Sequence, residues 1–208
     1  MSGELELTYR ERAIVGVDEV GRGALAGPVT VAAVVLDGDL ISEALSGIDN
    51  VCREFRDSKK VPKSIRAAVA SKVYGAALVW NIVSIPNWVI DNVGIRSATL
   101  VGMKEAAVPV AAKFDFPLII VDGVDVFGGT NHHVVAKKKA DNRSWSVAAA
   151  SLIAKVTRDA LMTEIHLSYD DRYGFDVHFG YGTKTHLKAL EEHGPSEWHR
   201  MSFKPCRR

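Results

Sequence analysis

The hydrophobic pattern of the chain opens with two short apolar runs separated by a glycine-rich segment. Residues 13–17 form the first run, and it leads directly into Asp18 and Glu19. Residues 29–36 form the second run, which is rich in β-branched side chains and ends at Asp37. Short runs of this kind, bounded by turn residues, are typical of strands. We therefore predict two strands paired as a hairpin, with Asp18 and Glu19 terminating the first.

Farther along the chain, the pattern alternates between helical spacing and continuous apolar runs. Apolar residues three and four positions apart indicate helices, whereas short apolar runs indicate buried strands. The predicted elements are a helix at 62–74, a strand at 76–85, a helix at 95–112, strands at 116–121 and 132–136, and helices at 144–163 and 183–193. This order predicts a mixed sheet, antiparallel in its first half and extended by parallel strands through a crossover helix. The polar, basic tail after the last helix is expected to be mobile.

Composition restricts the class of protein. The chain has 208 residues, of which 47% are hydrophobic and 25% charged, as is usual for a globular domain. It contains no run of eighteen apolar residues, and its acidic N-terminus lacks the features of a signal peptide. Its two cysteines, Cys52 and Cys206, are too few for a disulfide framework or a four-thiolate zinc site. We therefore expect a cytoplasmic protein with one main core.

The net charge of +1 conceals a segregation of charge along the chain. Residues 1–50 carry three basic and nine acidic side chains, whereas residues 53–72 carry seven basic and two acidic ones. Residues 131–160 carry six basic and two acidic side chains. Basic segments beside an acidic one fit a protein that grips phosphates around a cation-binding cleft. Ordinary solvated surfaces are the alternative explanation.

Acidic residues stand where predicted strands end or helices begin. Asp122 follows the buried strand at 116–121, and Asp141 precedes the helix at 144–163. If these residues join Asp18 and Glu19 at one sheet edge, their repulsion requires a hard divalent cation, Mg²⁺ or Mn²⁺. Two such ions about 4 Å apart would flank a phosphodiester. For each carboxylate alone, a helix cap, a turn or a surface charge is the alternative.

Asp18 and Glu19 are adjacent, and adjacent residues of a regular strand point to opposite faces. Gly21 and Gly23 imply a bend that would bring Glu19 round, although a plain turn is the alternative. The glycine spacing does not match a dinucleotide-binding loop, because Pro28 leads into a strand. A Walker A sequence, a zinc-type histidine cluster and a serine-hydrolase elbow are also absent from the sequence.

Six groups of motifs follow one another along most of the chain. They are Val17-Asp18-Glu19-Val20-Gly21-Arg22-Gly23 with Gly27-Pro28-Val29, Asp57-Ser58-Lys59-Lys60, Ile90-Asp91-Asn92 with Gly94-Ile95, Val121-Asp122-Gly123, Ala140-Asp141 leading into residues 148–159, and Gly180-Tyr181-Gly182-Thr183 with His186. Over residues 13–190 this series resembles ribonuclease HII, the bacterial type 2 ribonuclease H. The sequence departs from the family pattern at Phe179, where lysine is common, and at Ala140, where glycine is common.

The resemblance implies an α/β fold with a ribonuclease H-like mixed five-stranded sheet flanked by helices, over residues 1–168. A small helical C-terminal lobe with the basic tail would follow at 169–208. It implies an endoribonuclease that cuts the RNA strand of RNA–DNA hybrids and the 5′ side of single ribonucleotides in duplex DNA. Two metal ions, Mg²⁺ or Mn²⁺, would give 3′-hydroxyl and 5′-phosphate ends in DNA replication and repair. We expect a monomer without an identifiable protein partner.

The resemblance also assigns site residues. The catalytic, metal-binding carboxylates would be Asp18, Glu19, Asp122 and Asp141. Substrate would be bound by Gly21, Arg22 and Gly23, whose backbone reads the ribose 2′-hydroxyl, and by Tyr181, which packs on the next deoxyribose. Candidate phosphate contacts are Lys59, Lys60, Lys155 and Lys184, for which a solvated surface role is the alternative. A resolvase- or integrase-like DNA nuclease and a non-catalytic hybrid-binding module are the alternative functions.

Overall fold

A computed structural model describes residues 3–9, 12–47, 51–55 and 61–207. Its sheet has the strand order β3-β2-β1-β4-β5. The strands are β1 (Ile14–Val20), β2 (Val29–Leu36), β3 (Ala77–Ile85), β4 (Leu118–Asp122) and β5 (His133–Lys137). The described helices are α1 (Glu4–Thr8), α2 (Gly38–Ser46), α3 (Val51–Glu54), α4 (Lys63–Ala76), α5 (Asn87–Val93), α6 (Ile95–Ala111), α7 (Trp145–Ser168), α8 (Phe175–His178) and α9 (Lys184–His193), with 3₁₀ turns at Ala140–Asn142, Asp171–Tyr173 and Lys204–Cys206.

The sheet is mixed, as the order of predicted elements indicated. Strand β1 pairs antiparallel with β2, where Val17 lies opposite Ala33, and β2 pairs antiparallel with β3. On its other side β1 pairs parallel with β4, where Val17 lies opposite Val121, and β4 pairs parallel with β5. The parallel half places the carboxyl ends of β1 and β4 at the same edge of the sheet.

Helices cover both faces of the sheet. The long helix α7 packs on one face of β1 and β2, while α6 packs on the other face. Helix α7 approaches β1 closely, because a Cβ atom at Gly16 would overlap the backbone of Ser146 and Val147. The small side chains at 148–151 are buried in the same contact. This packing fixes the start of α7 beside the carboxyl end of β1.

Two sequence-based expectations are wrong in detail. Strand β1 continues to Val20, so Asp18 and Glu19 lie inside it rather than at its end. The tail after α9 is folded against the molecule, since Arg200 and Cys206 are buried. The division at residue 168 stays a prediction. None of the described helices combines the length and apolar composition that a membrane crossing requires.

Candidate active site

All four predicted carboxylates line one cavity of about 380 Å³ at the carboxyl edge of the sheet. Asp18 and Glu19 come from β1, Asp122 is the last residue of β4, and Asp141 lies in the 3₁₀ turn before α7. The remaining lining residues are Val20, Ser151, Lys155 and Tyr181. The structure therefore brings together side chains that are spread over more than 120 positions of the sequence.

The pairing of β1 explains how adjacent residues reach the same cavity. Parallel pairing with β4 ends at Val17, so Asp18 and Glu19 extend beyond the β4 ladder while they still pair with β2. The chain then turns at Gly21, whose φ is 90°. Because the cavity lies at the free edge of β1, both side chains contact it from a strand that stays regular.

The electrostatics of this cavity are unfavourable for negative charge. Burial raises the pKa of Asp18 well above its usual range, and repulsion from Glu19 and Asp122 raises it further. Burial also raises the pKa of Glu19 to about 7, although Arg22 opposes the rise. Among the described residues, Glu19 Oε2 has no hydrogen-bond partner although it is buried. A bound cation would offset each of these costs.

The donor set fits a hard divalent cation, because carboxylate oxygens are the ligands that Mg²⁺ and Mn²⁺ prefer. Among the described residues, the side chains as placed do not form a group of three or more ligands around one point. Three of the four carboxylates accept a hydrogen bond from a protein donor. Asp18 Oδ1 accepts the Glu19 N–H at 2.8 Å, Asp122 Oδ1 accepts the Ala140 N–H at 2.8 Å, and Asp141 Oδ1 accepts from Asn142 Nδ2 at 2.9 Å.

The predicted sugar-reading segment lies directly beside the carboxylates. The Gly21 N–H donates to the Tyr181 hydroxyl at 3.2 Å, so the segment and the aromatic ring are joined. The Arg22 guanidinium lies 3.6 Å from Glu19 and 3.8 Å from Asp125. Gly23 has open space around its Cα, since a Cβ atom there would meet nothing within 4 Å.

Two buried arginines, which the sequence analysis did not identify as site residues, donate hydrogen bonds to the backbone of the segment that follows β1. Arg158 donates to the carbonyls of residues 26 and 28 and of Phe179, at 2.8–3.0 Å. Arg200 donates to the carbonyls of Arg22 and residue 27, both at 3.0 Å. Both side chains are fully buried. The loop after β1 is therefore fixed by backbone carbonyl contacts, and its own sequence gives no sign of them.

The four predicted lysines differ in position. Lys155 lines the cavity, and its Nζ is 2.7 Å from Asp159 Oδ1. Lys184 is exposed at the start of α9 and does not line the cavity. Lys59 and Lys60 lie outside the described residues.

A further lysine, Lys63 at the start of α4, was not predicted. Its Nζ lies 4.7 Å from the ring centroid of Phe179, and the Nζ of Lys155 lies 4.9 Å from the same centroid. Phe179 itself has a left-handed backbone with φ 51°. Two ammonium groups therefore contact the ring of the residue that departs from the family pattern, and one of them, that of Lys155, lines the cavity.

Comparison with known sequences agrees with the resemblance that the motifs indicate. The family model described as ribonuclease HII matches residues 15–206. A protein of Xanthomonas campestris pv. campestris (strain B100) named ribonuclease HII is 42% identical over 201 residues, which cover 97% of this chain and 79% of that protein. A ribonuclease HII of Rhizobium etli (strain CIAT 652) is 41% identical over 207 residues, which cover 98% and 84%.

Solved structures share the fold. The ribonuclease H2 of Pyrococcus horikoshii OT3 has a TM-score of 0.72 and 22% identity, covering 93% of this chain and 95% of that one. The ribonuclease HII in the PCNA complex from Archaeoglobus fulgidus has a TM-score of 0.72 and 24% identity, covering 92% and 95%. Bst-RNase HIII in complex with Mn²⁺ has a TM-score of 0.68 and 17% identity, covering 94% and 68%. The predicted fold class is confirmed.

Proposed function

Because this chain belongs to the ribonuclease HII family, whose members are hydrolases with ribonuclease H activity, we propose that it cuts 5′ of single ribonucleotides embedded in duplex DNA. This activity accompanies cleavage of the RNA strand of RNA–DNA hybrids. The products are a 3′-hydroxyl and a 5′-phosphate. Removal of ribonucleotides during DNA replication and repair is the role that follows from this specificity.

The observation that carries the proposal is the contact between the carboxylate cavity and a backbone segment suited to reading a sugar. The 2′-hydroxyl is the group that distinguishes RNA from DNA at a given nucleotide. The segment from Gly21 to Gly23 presents backbone groups without bulky side chains at its two ends, which permits close approach. Tyr181 lines the cavity and bonds to Gly21, so its ring is available to the adjacent deoxyribose.

Asp18, Glu19, Asp122 and Asp141 would hold the divalent ions, Mg²⁺ or Mn²⁺. When bound, two such ions activate a water molecule and stabilise the leaving oxygen of the phosphodiester. The protein's own residues would orient the duplex, since Lys155 in the cavity and Lys63, which contacts the same Phe179 ring, provide positive charge for phosphates. Arg22 provides a further positive charge beside Glu19.

The test is a cleavage assay on three duplexes of one sequence: all DNA, DNA with one ribonucleotide, and an RNA–DNA hybrid. We expect cleavage of the last two with Mg²⁺ or Mn²⁺ and none with a chelator. Asp122→Asn should lower the rate on the order of 100-fold or more, because a ligand is lost. Its affinity for the duplex should change little, because the phosphate contacts remain.

The matched control is Asp115→Asn, at an exposed position away from the cavity, which should cleave like the wild type. A wild-type rate for Asp122→Asn with Mg²⁺ would show that the metal assignment is wrong. Preference for the all-DNA duplex would instead favour the resolvase- or integrase-like alternative. Action as a monomer without a protein partner stays a prediction, and the Archaeoglobus fulgidus enzyme is in a complex with PCNA.

A further inference from the structure

The N-terminal helix α1 lies against residues 140–147, the segment that carries Asp141 into the cavity. Glu4 pairs with the Arg143 guanidinium through two contacts, at 2.7 and 3.2 Å. The Leu5 N–H donates to the Arg143 carbonyl at 3.2 Å, and the Leu5 side chain is buried in a cluster with Ala140 and Val147. Helix α1 is therefore attached by its backbone, its charge and its apolar side chain to one short stretch of chain.

Glu6 makes the deepest of these contacts. Its side chain is 3% exposed, and its Oε1 accepts from the Ser144 hydroxyl at 2.7 Å and from the Ser146 N–H at 3.1 Å. The Ser144 hydroxyl oxygen in turn accepts the Val147 N–H at 3.2 Å. The Ser144 hydroxyl donates its single proton to Glu6, so its oxygen lone pairs can accept hydrogen bonds from the backbone of α7. Glu6 and Ser144 thus satisfy the unpaired donors at the start of α7 together.

This capping arrangement is continuous with the turn that presents Asp141. The Ser144 N–H donates to the Ala140 carbonyl at 2.8 Å and closes the turn. The Ala140 N–H donates to Asp122, and the preceding Lys139 has a left-handed backbone with φ 55°. A non-glycine residue with a left-handed backbone is strained, so contacts with the surrounding structure must hold it in place. The contacts that hold it run from Glu6 through Ser144 to Ala140, beside Asp141.

We propose that Glu6 is a positioning residue, which acts through Ser144 to set where the Asp141 carboxylate lies in the cavity. The inference rests on the proposed function, because Asp141 is assigned there as a metal ligand. Loss of Glu6 should therefore weaken metal binding in protein that is still folded, which loss of a merely stabilising residue would not do.

The experiment measures Mn²⁺ binding to metal-free protein by calorimetry, at a temperature where every variant is folded. Glu6→Ala should weaken Mn²⁺ binding about tenfold, as does loss of groups that orient metal ligands in other sites. Glu6→Gln should stay close to the wild type, because its amide oxygen accepts both hydrogen bonds. Glu43→Ala, on the exposed face of α2, is the matched control and should bind like the wild type.

A purely structural role for Glu6 is distinguished by Val110→Ala. This substitution opens the buried contact of α6 on the other face of the sheet and lowers stability without touching residues 140–147. It should leave Mn²⁺ binding unchanged. Hydrogen exchange of the amides at 140–147, measured without metal, should accelerate in Glu6→Ala and remain as in the wild type in Val110→Ala.

Two results would overturn the inference. The first is folded Glu6→Ala that binds Mn²⁺ as tightly as the wild type, and the second is equal weakening in Val110→Ala. If Glu6→Ala does not fold, Ser144→Ala tests the same link and should also weaken Mn²⁺ binding, since Glu6 remains but loses its hydroxyl donor and keeps only the Ser146 N–H. Failure of the wild type to bind Mn²⁺ would instead overturn the proposed function, and this inference with it.

Discussion

Stability and metal binding make opposite demands on Asp18. The side chain is buried beside Glu19 and Asp122, so its pKa in the folded protein is raised. A raised folded pKa means that the protonated carboxyl favours the folded state. The stabilisation is present in full below the unfolded pKa and is lost as the pH rises through the folded value. At neutral pH without metal, burial of this acidic side chain therefore costs stability.

Asp18→Asn should stabilise the metal-free protein by on the order of 1 kcal/mol at pH 7.5, as is common when a functional charge is removed. The amide keeps an oxygen that can accept the Glu19 N–H. Denaturant unfolding in the presence of a chelator measures the effect, and the gain should shrink towards pH 4. Asp115→Asn, which is exposed, should change stability by less than about 0.5 kcal/mol. A less stable Asp18→Asn protein would contradict this account.

Tyr181 joins the predicted sugar-reading segment to the cavity through its hydroxyl and its ring. Tyr181→Ala should reduce cleavage at a single ribonucleotide roughly tenfold, a change of about 1.4 kcal/mol, because the ring would no longer pack on the adjacent deoxyribose. Affinity for any duplex should fall much less, because phosphates dominate it. Tyr181→Phe, which keeps the ring, should fall between the wild type and Tyr181→Ala. An equal loss on the single-ribonucleotide duplex and on the hybrid would rule out a role in sensing the junction.

At the level of elements, the sequence is most informative where one buried run makes one strand. Strand β2 has the predicted bounds, because residues 29–36 are apolar except for Thr30 and every one of them is buried. The end of β1 was misplaced, because two charged residues interrupt the apolar pattern. Pairing of Glu19 with Val31 of β2 nevertheless continues the strand to Val20. Pairing depends on the neighbouring strand, which the local pattern does not contain.

The same limit applies to the site. The carboxylates could be predicted, since each stands near the end of a strand or the start of a helix. Arg158 and Arg200 could not, because an arginine in a helix or a polar tail is ordinarily exposed. Only the folded chain shows that backbone carbonyls of residues 21–28 surround them. Buried charged residues whose hydrogen-bond partners lie in another segment leave no periodic pattern in the sequence of their own segment.

The contact between α7 and β1 determines where Asp141 stands relative to Asp18. Gly16→Ala would place a methyl group against the backbone of Ser146 and Val147, which cannot move as a side chain does. We expect a loss of about 1–3 kcal/mol in stability and weaker Mn²⁺ binding, because the start of α7 is displaced from the strand.

Urea unfolding and calorimetry measure the two effects. The control is Gly75→Ala, where an added Cβ atom meets nothing within 4 Å in helix α4. That substitution should be stabilising by about 0.4–1 kcal/mol, because it restricts the unfolded chain. A Gly16→Ala protein as stable as the wild type would show that α7 can move away from β1 without cost.

At the scale of the whole molecule, the C-terminal segment closes over the loop that follows β1. Ala26 and His199 form an isolated antiparallel bridge, and the Gly27 N–H donates to the Trp198 carbonyl at 2.8 Å. The Arg200 N–H donates to the Leu25 carbonyl at 2.8 Å. Residues 198–200 therefore support the segment that begins at Gly21. Loss of this closure should affect the site as well as stability.

A chain of hydrogen bonds between two buried histidines makes this closure sensitive to pH. His199 Nδ1 accepts the Ser196 N–H at 2.9 Å, so its proton belongs on Nε2, which lies 3.0 Å from His186 Nε2. His186 then carries its proton on Nδ1, 3.0 Å from the Tyr181 carbonyl. Both rings are neutral in this assignment. A second proton on either ring would place two hydrogen-bond donors opposite each other.

Burial, with repulsion from His186, lowers the pKa of His199 to about 4. An unfolded histidine binds a proton near pH 6.5, so between about pH 6.5 and 4 the unfolded state holds more protons. Stability from this group is present above pH 6.5 and is lost as the pH falls. The buried carboxyls of Asp18 and Glu19 have the opposite dependence, since their folded pKa values are raised. The histidine effect must therefore be measured as a difference between variants that share those carboxyls.

His199→Gln should be less stable than the wild type at pH 7.5, and the gap should close as the pH falls to 4.5. Urea unfolding with a chelator, at several values of pH, gives the two curves. His132→Gln, in the loop before β5, should follow the wild-type curve throughout. A gap that stays constant with pH would show that His199 contributes packing alone. A gap that closes would show that the neutral His199 ring, with its hydrogen bonds, stabilises the folded protein and that its protonation removes this stabilisation.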